Sequence, residues 1–171
     1  MTTTFIPTLG GTPLYCECTS HRWPFVELRQ SLPSRVEAIS PFVDELIVFI
    51  NRFRNVDTSE IDIEIALREA LTNAVIHGNH KDPNRCVWVV CRCPADGGVS
   101  ITIRDQGKGF DSLAVPDPTA PERLLSTRGR GIYMMRALMD EIYFDEGGSV
   151  VHMRKTPNNS REANSEHSIG K

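Results

Sequence analysis

The chain has 171 residues, 40% of them apolar and 24% charged, which fits one globular domain with a real core and excludes a chain disordered throughout. Lysines and arginines number 19 against 22 aspartates and glutamates, so the net charge of -3 supplies no global basic field and argues against direct nucleic-acid binding. No uninterrupted apolar run approaches the ~20 residues of a bilayer span, and no basic segment followed by an apolar stretch opens the chain, so a cytoplasmic protein without membrane attachment is expected.

Residues 1–22 mix Thr, Gly, Pro and Cys without a helical or long strand period, so a flexible arm is expected ahead of a domain over 23–155. After Pro24, the alternation of Val26, Leu28 and Leu32 predicts a strand ending at Pro33. Between 34 and 54, Val36, Ile39, Val43, Leu46, Ile47, Ile50 and Phe53 recur at helical steps, with Pro41 either kinking the helix or marking a second start. Asp57, Thr58 and Ser59 offer N-caps for a helix over 60–77 that Gly78 and Asn79 stop. The β-branched runs 87–93 and 99–104, joined through Asp96-Gly97, predict an antiparallel hairpin. Residues 111–128, with Pro116, Pro118 and Pro121, form a long loop, the kind a compact domain keeps for function. A helix over 129–139 follows, then strands at 142–144 and 150–153 around Gly147-Gly148, and a polar tail over 156–171 is expected to be disordered.

Five cysteines and no export signal point to reduced thiols rather than a disulfide framework. The pairs Cys16/Cys18 and Cys91/Cys93 are spaced more tightly than ordinary zinc ligands. Cys91 and Cys93 also sit two apart in an alternating run, which puts both on one face of a strand.

Three short segments carry chemistry. On the helix over 60–77, Glu69, Asn73 and His77 fall at four-residue steps, so a carboxylate and an amide project together: a proton acceptor beside a hard oxygen donor suited to magnesium. In Asp105-Gln-Gly107-Lys-Gly109, an acid at a strand end precedes two glycines, so a flat ligand can approach the backbone while Asp105 accepts from an exocyclic amine. In Gly129-Arg130-Gly131-Ile132, free amides at a helix start can hold phosphate.

In this order and spacing, the segments resemble the N, G1 and G2 boxes of the GHKL ATPases. The Asn-Ala-x-x-His-Gly ending of the first and Met139-Asp140-Glu141 after the third resemble the anti-sigma factor serine kinases of the RsbW and SpoIIAB type. The resemblance implies an α+β Bergerat fold: a two-layer α/β sandwich whose mixed, mainly antiparallel sheet carries helices on one face. It also implies Mg-ATP held under a lid at 111–128, Glu69 as general base toward a serine or threonine hydroxyl, and Asn73 on magnesium. Asp105 would read adenine, and the backbone around Gly107, Gly109, Gly129, Arg130 and Gly131 would hold the nucleotide. By position and charge, Arg128 or Arg130 is expected to neutralise charge developing on the γ-phosphate. Ser149 and Val150 stand where the family often has an adenine-side threonine, so adenine selectivity rests mainly on Asp105. The implied partners are a STAS-domain antagonist as phosphoacceptor, a sigma factor or other regulatory target, and a second copy in a homodimer. The alternative is a nucleotide-dependent binding module that holds a partner without phosphorylating it.

Overall fold

The computed structural model describes residues 2–6, 14–18, 25–53, 59–95, 97–109 and 130–157. The strands are β1 (Thr2–Ile6), β2 (Leu14–Cys18), β3 (Phe25–Pro33), β4 (Cys86–Pro94), β5 (Val99–Arg104), β6 (Glu141–Asp145) and β7 (Val150–Lys155). They form one seven-stranded sheet in the order β1-β2-β3-β4-β5-β7-β6. Every pairing among them is antiparallel. The helices are α1 (Ile39–Phe53), α2 (Glu60–Thr72) and α3 (Arg130–Leu138). The expected α+β sandwich is present.

Register explains the two layers. The row Leu28, Cys91, Ile101, Met153 and Ile142 runs straight across β3, β4, β5, β7 and β6 on one face. Because side chains alternate along a strand, this row and its same-face neighbours form a continuous apolar floor. The floor packs against Val43, Leu46, Ile47 and Ile50 of α1 and Ile63, Ala66, Leu67, Ala70 and Leu71 of α2. Cys91 and Cys93 both lie buried in this floor, as their alternation predicts. The Cys93 contact and full burial push the Cys91 thiol well above the ordinary thiol range, in keeping with its place in the core.

Most expected elements stand within a residue or two of their predicted ends. Pro41 sits in the first turn of α1, which follows a short 3₁₀ turn at Val36–Ala38, so the proline marks a start and no kink. Ser59 is the cap of α2, its hydroxyl accepting from the Asp62 amide at 3.4 Å. Two features differ from expectation. Within the stretch read as an arm, β1 and β2 pair as a hairpin, and β2 meets β3 through Tyr15 and Glu27, extending the sheet. The second helix also does not run evenly to His77: after Thr72 it widens into a π-helical turn, Asn73–Gly78. The lid segment 111–128, Gly129 and the tail beyond 157 lie outside the described residues.

Candidate active site

The π turn positions the site. It carries the backbone past a normal α-helical end, with the Asn79 amide donating to the Ala74 carbonyl at 2.8 Å and the Lys81 amide to Val75 at 2.8 Å. Such widened turns leave a helix out of register with itself and recur at functional sites. His80 and Lys81 then take positive φ of 55° and 57°, a left-handed turn without glycine. This turn delivers Gly78 and Asn79 to the end of β5.

Asn79 is the hub there, and the sequence gives it only as a helix stop. It is fully buried. Its Nδ2 donates to Ser34 Oγ at 2.6 Å and to the Cys86 carbonyl at 3.0 Å, while its Oδ1 accepts from the Gln106 amide at 2.7 Å. Gln106 reciprocates on β4: its Oε1 accepts from the Cys86 amide at 2.8 Å and its carbonyl from Arg85 Nη1 at 3.2 Å. One buried amide therefore joins the α2 exit, the start of β4 and the loop after β5. An Asn directly after the His-Gly pair was the available signal.

Asp105 lies in the pocket of backbone that this hub holds. Its Oδ1 accepts from the Gly107 amide at 2.7 Å, and its own amide donates to the Ser149 carbonyl at 3.0 Å. Gly78 is packed against it so closely that a Cβ there would stand 2.6 Å from Oδ1. Gly107 is equally confined, since a Cβ would come within 2.8 Å of the Gly78 carbonyl carbon. Gly109, at φ 72°, abuts the Gly147 carbonyl of the β6–β7 turn. Glycine is required at these positions because backbone meets backbone or a carboxylate. Burial raises the Asp105 carboxyl above its ordinary value, opposed by the Gly107 amide and the charges of Arg85 and His80. Ser149 and Val150 both fall here, Ser149 through its carbonyl and Val150 opposite Arg104 in the β5–β7 register.

The other end lies between α2 and α3. Glu69 and Asn73 are half-buried on one side of α2 and its π turn, and His77 is exposed. Gly131, in the first turn of α3, sits over them: a Cβ there would lie 2.6 Å from Glu69 Oε2 and 3.4 Å from Asn73 Nδ2. The third segment is thus brought against the first by a glycine, whose lack of a side chain lets α3 sit this close to the carboxylate. Arg130 is exposed at the same helix end, and Ile132 packs against the core. Among the described residues, no group of three or more His, Cys, Asp or Glu is gathered to hold a metal ion. Magnesium does not demand one, because it keeps several waters and takes one or two protein oxygens beside phosphate.

The described geometry links the three sequence segments, with Asp105 against Gly78 and Gly107 at one end and Glu69 with Asn73 against Gly131 at the other. This is the layout of a nucleotide-binding kinase-like domain. A sequence profile of the family described as histidine kinase-like ATPase domain matches residues 32–155. The chain belongs to that family. Within it the chain falls in the anti-sigma kinase branch. It is 31% identical over 134 residues to an anti-sigma F factor of Geobacillus thermodenitrificans, covering 74% of this chain and 80% of that one. Over 139 residues it is 32% identical to the serine-protein kinase RsbW of Staphylococcus epidermidis, covering 77% and 86%. An anti-sigma F factor of Heyndrickxia coagulans is 35% identical over 99 residues, 54% of this chain and 66% of that protein. Among the described residues, no helix is long and apolar enough to cross a membrane.

Proposed function

We propose that the protein is an ATP-dependent serine/threonine kinase that switches partners: it phosphorylates a STAS-domain antagonist and otherwise holds a sigma factor or a comparable regulatory target. The observation that carries the reading is Gly131 lying over Glu69 and Asn73, which puts a helix N-terminus, a carboxylate and an amide side chain side by side.

The residues suit Mg-ATP by their donor chemistry. Asp105, oriented by the Gly107 amide, is an acceptor for the adenine amine. The Asn73 side-chain oxygen is a hard donor for magnesium, and the amides of Arg130, Gly131 and Ile132 at the start of α3 face phosphate with the positive end of the helix dipole. Bound Mg-ATP supplies the γ-phosphoryl group. Glu69 takes the proton of the acceptor hydroxyl as its oxygen bonds to phosphorus, while the bond to the bridging oxygen breaks and its electrons remain on the departing ADP. Arg130, exposed at the start of α3, is the cation proposed to meet negative charge developing on the γ-phosphate. His77, exposed on the π turn, is proposed to contribute to nucleotide binding.

Titration calorimetry with a non-hydrolysable ATP analogue, with and without magnesium, tests the site. Wild type should bind in a magnesium-dependent way, Asn73→Ala should lose that dependence, and Glu69→Ala should bind normally but fail to phosphorylate a STAS-domain antagonist. Undiminished transfer by Glu69→Ala would remove the general base. Binding by wild type without any transfer would make the protein a nucleotide-dependent binding module.

A further inference from the structure

Lys155 is a charged residue with only 1% of its surface exposed, at the end of β7 and away from the nucleotide side. Lysine in such a place is costly unless fully partnered. Its Nζ donates to Asp62 Oδ2 at 2.7 Å, in the first turn of α2, and to the carbonyl of Leu138, the last residue of α3. The cation therefore meets the negative end of the α3 dipole and an otherwise orphaned carbonyl.

The neighbours extend the join. The Asp140 amide donates to the Arg154 carbonyl at 2.9 Å, and Asp140 Oδ2 accepts from the Thr156 amide at 2.7 Å and the Thr156 hydroxyl at 2.6 Å. The exit of α3 is stitched residue by residue to the end of β7, and Lys155 ties both to the start of α2. The Met139-Asp140-Glu141 segment thereby acquires a physical role.

We propose that Lys155 is a positioning residue: bridging Asp62 and Leu138, it fixes the far end of α3 on α2 and so sets the place of Gly131 over Glu69 and Asn73. The proposal rests on the kinase reading of that site. Seven helical residues separate the clamp from Gly131, about 10 Å along the axis, so a tilt of about 6° at the clamp moves Gly131 by about 1 Å. A displacement of that size between reacting groups can cost roughly 100-fold in rate.

The test uses Lys155→Met, which keeps the apolar stem, and Asp62→Asn, which is milder and keeps a fold if the first does not. Amide hydrogen exchange is followed on the full chain without nucleotide, and ATP-analogue affinity and transfer rate are measured well below the melting temperature. Amides of 134–139 should exchange at least about tenfold faster while those of β4 and β5 are unchanged, with weaker analogue binding and transfer reduced by up to ~100-fold. Unchanged α3 protection, or faster exchange everywhere by the same factor, would overturn the proposal. A wild type that binds no analogue would instead sink the kinase reading, and the clamp would then stand or fall on α3 exchange alone.

Discussion

Gly131→Ala separates the geometry of transfer from the stability of the fold. The new Cβ would stand 2.6 Å from Glu69 Oε2, whereas ordinary contacts begin at 3.4 Å. The carboxylate must therefore retreat by roughly 0.8 Å, or α3 must lift by as much. The obstructing atom is the tip of a flexible side chain, so retreat costs the fold little. Alanine in place of glycine within a helix gains up to ~1 kcal/mol, although less in a first turn. The melting temperature should thus hold or rise slightly. Transfer should not survive as well, because displacing the base by close to 1 Å costs on the order of 100-fold, about 2.7 kcal/mol. Affinity for an ATP analogue should fall by far less, since the alanine keeps its amide. Calorimetry and radiolabelled transfer to a STAS-domain antagonist measure the two quantities, and scanning calorimetry the third. Full transfer by the variant would refute the placement of Glu69 beneath Gly131 as the working base.

Asp105→Asn should weaken analogue binding, because the amide presents a donor to the adenine amine, yet raise the melting temperature of the nucleotide-free protein at neutral pH. The sign follows from burial: a carboxyl raised in the folded state is penalised when ionised, so the penalty is absent at pH below its unfolded value and grows as pH rises through the folded one. An unaltered or lower melting temperature at neutral pH would contradict it. Glu27, buried between Arg29 and Arg92, behaves in the opposite sense, with burial raising its carboxyl but the two guanidinium hydrogen bonds and charges outweighing that and holding it low. Its stabilisation is present above the ordinary value of 4.5 and lost as pH falls toward the depressed one, so Glu27→Gln should flatten the acid limb of a stability-pH profile. The loss at neutral pH should stay below the ~3–5 kcal/mol of a fully buried pair, because both arginines can turn to water. Asn79→Ala leaves the Gln106 amide and the Cys86 carbonyl short of a partner, at ~1–3 kcal/mol each. Thermal melting should fall by roughly 4–24 °C at about 2–4 °C per kcal/mol, and a smaller shift would reject the hub.

The sheet and its helices were legible because their signals are local. Alternation in β3, β4 and β5 and the apolar stripe of α1 express burial against a single floor, and Ser59 and Pro41 express helix starts. The candidate site residues could be named for a similar reason, since Glu69, Asp105 and the glycines form short segments. What brings them together was not. Asn79 acts through Ser34 and Gln106, far from it in sequence, as well as Cys86, and Lys155 acts through Asp62 and Leu138. The π turn is likewise invisible to a four-residue period, because it depends on where Gly78 must arrive rather than on any residue inside it. The hairpin of β1 and β2 escaped because its Gly- and Pro-containing surroundings look like an arm until β3 supplies an edge.

The two ends of the site differ in what they can tolerate. At Asp105 the glycines leave no space: Gly107 and Gly109 bring backbone against backbone, Gly78 brings it against the Asp105 carboxylate, and the hub and strands β5 and β7 hold them fixed. Any side chain added there must move main chain, so substitutions should cost folding and affinity together. At Glu69, a glycine meets only the tip of a flexible side chain, between two helices whose spacing is set from the far end by Lys155. Substitutions there should spare the fold and affect transfer. On the proposed kinase reading, a site that grips adenine while releasing a phosphorylated protein gains from that division, because the gripping end can stay rigid while only the α3 end adjusts.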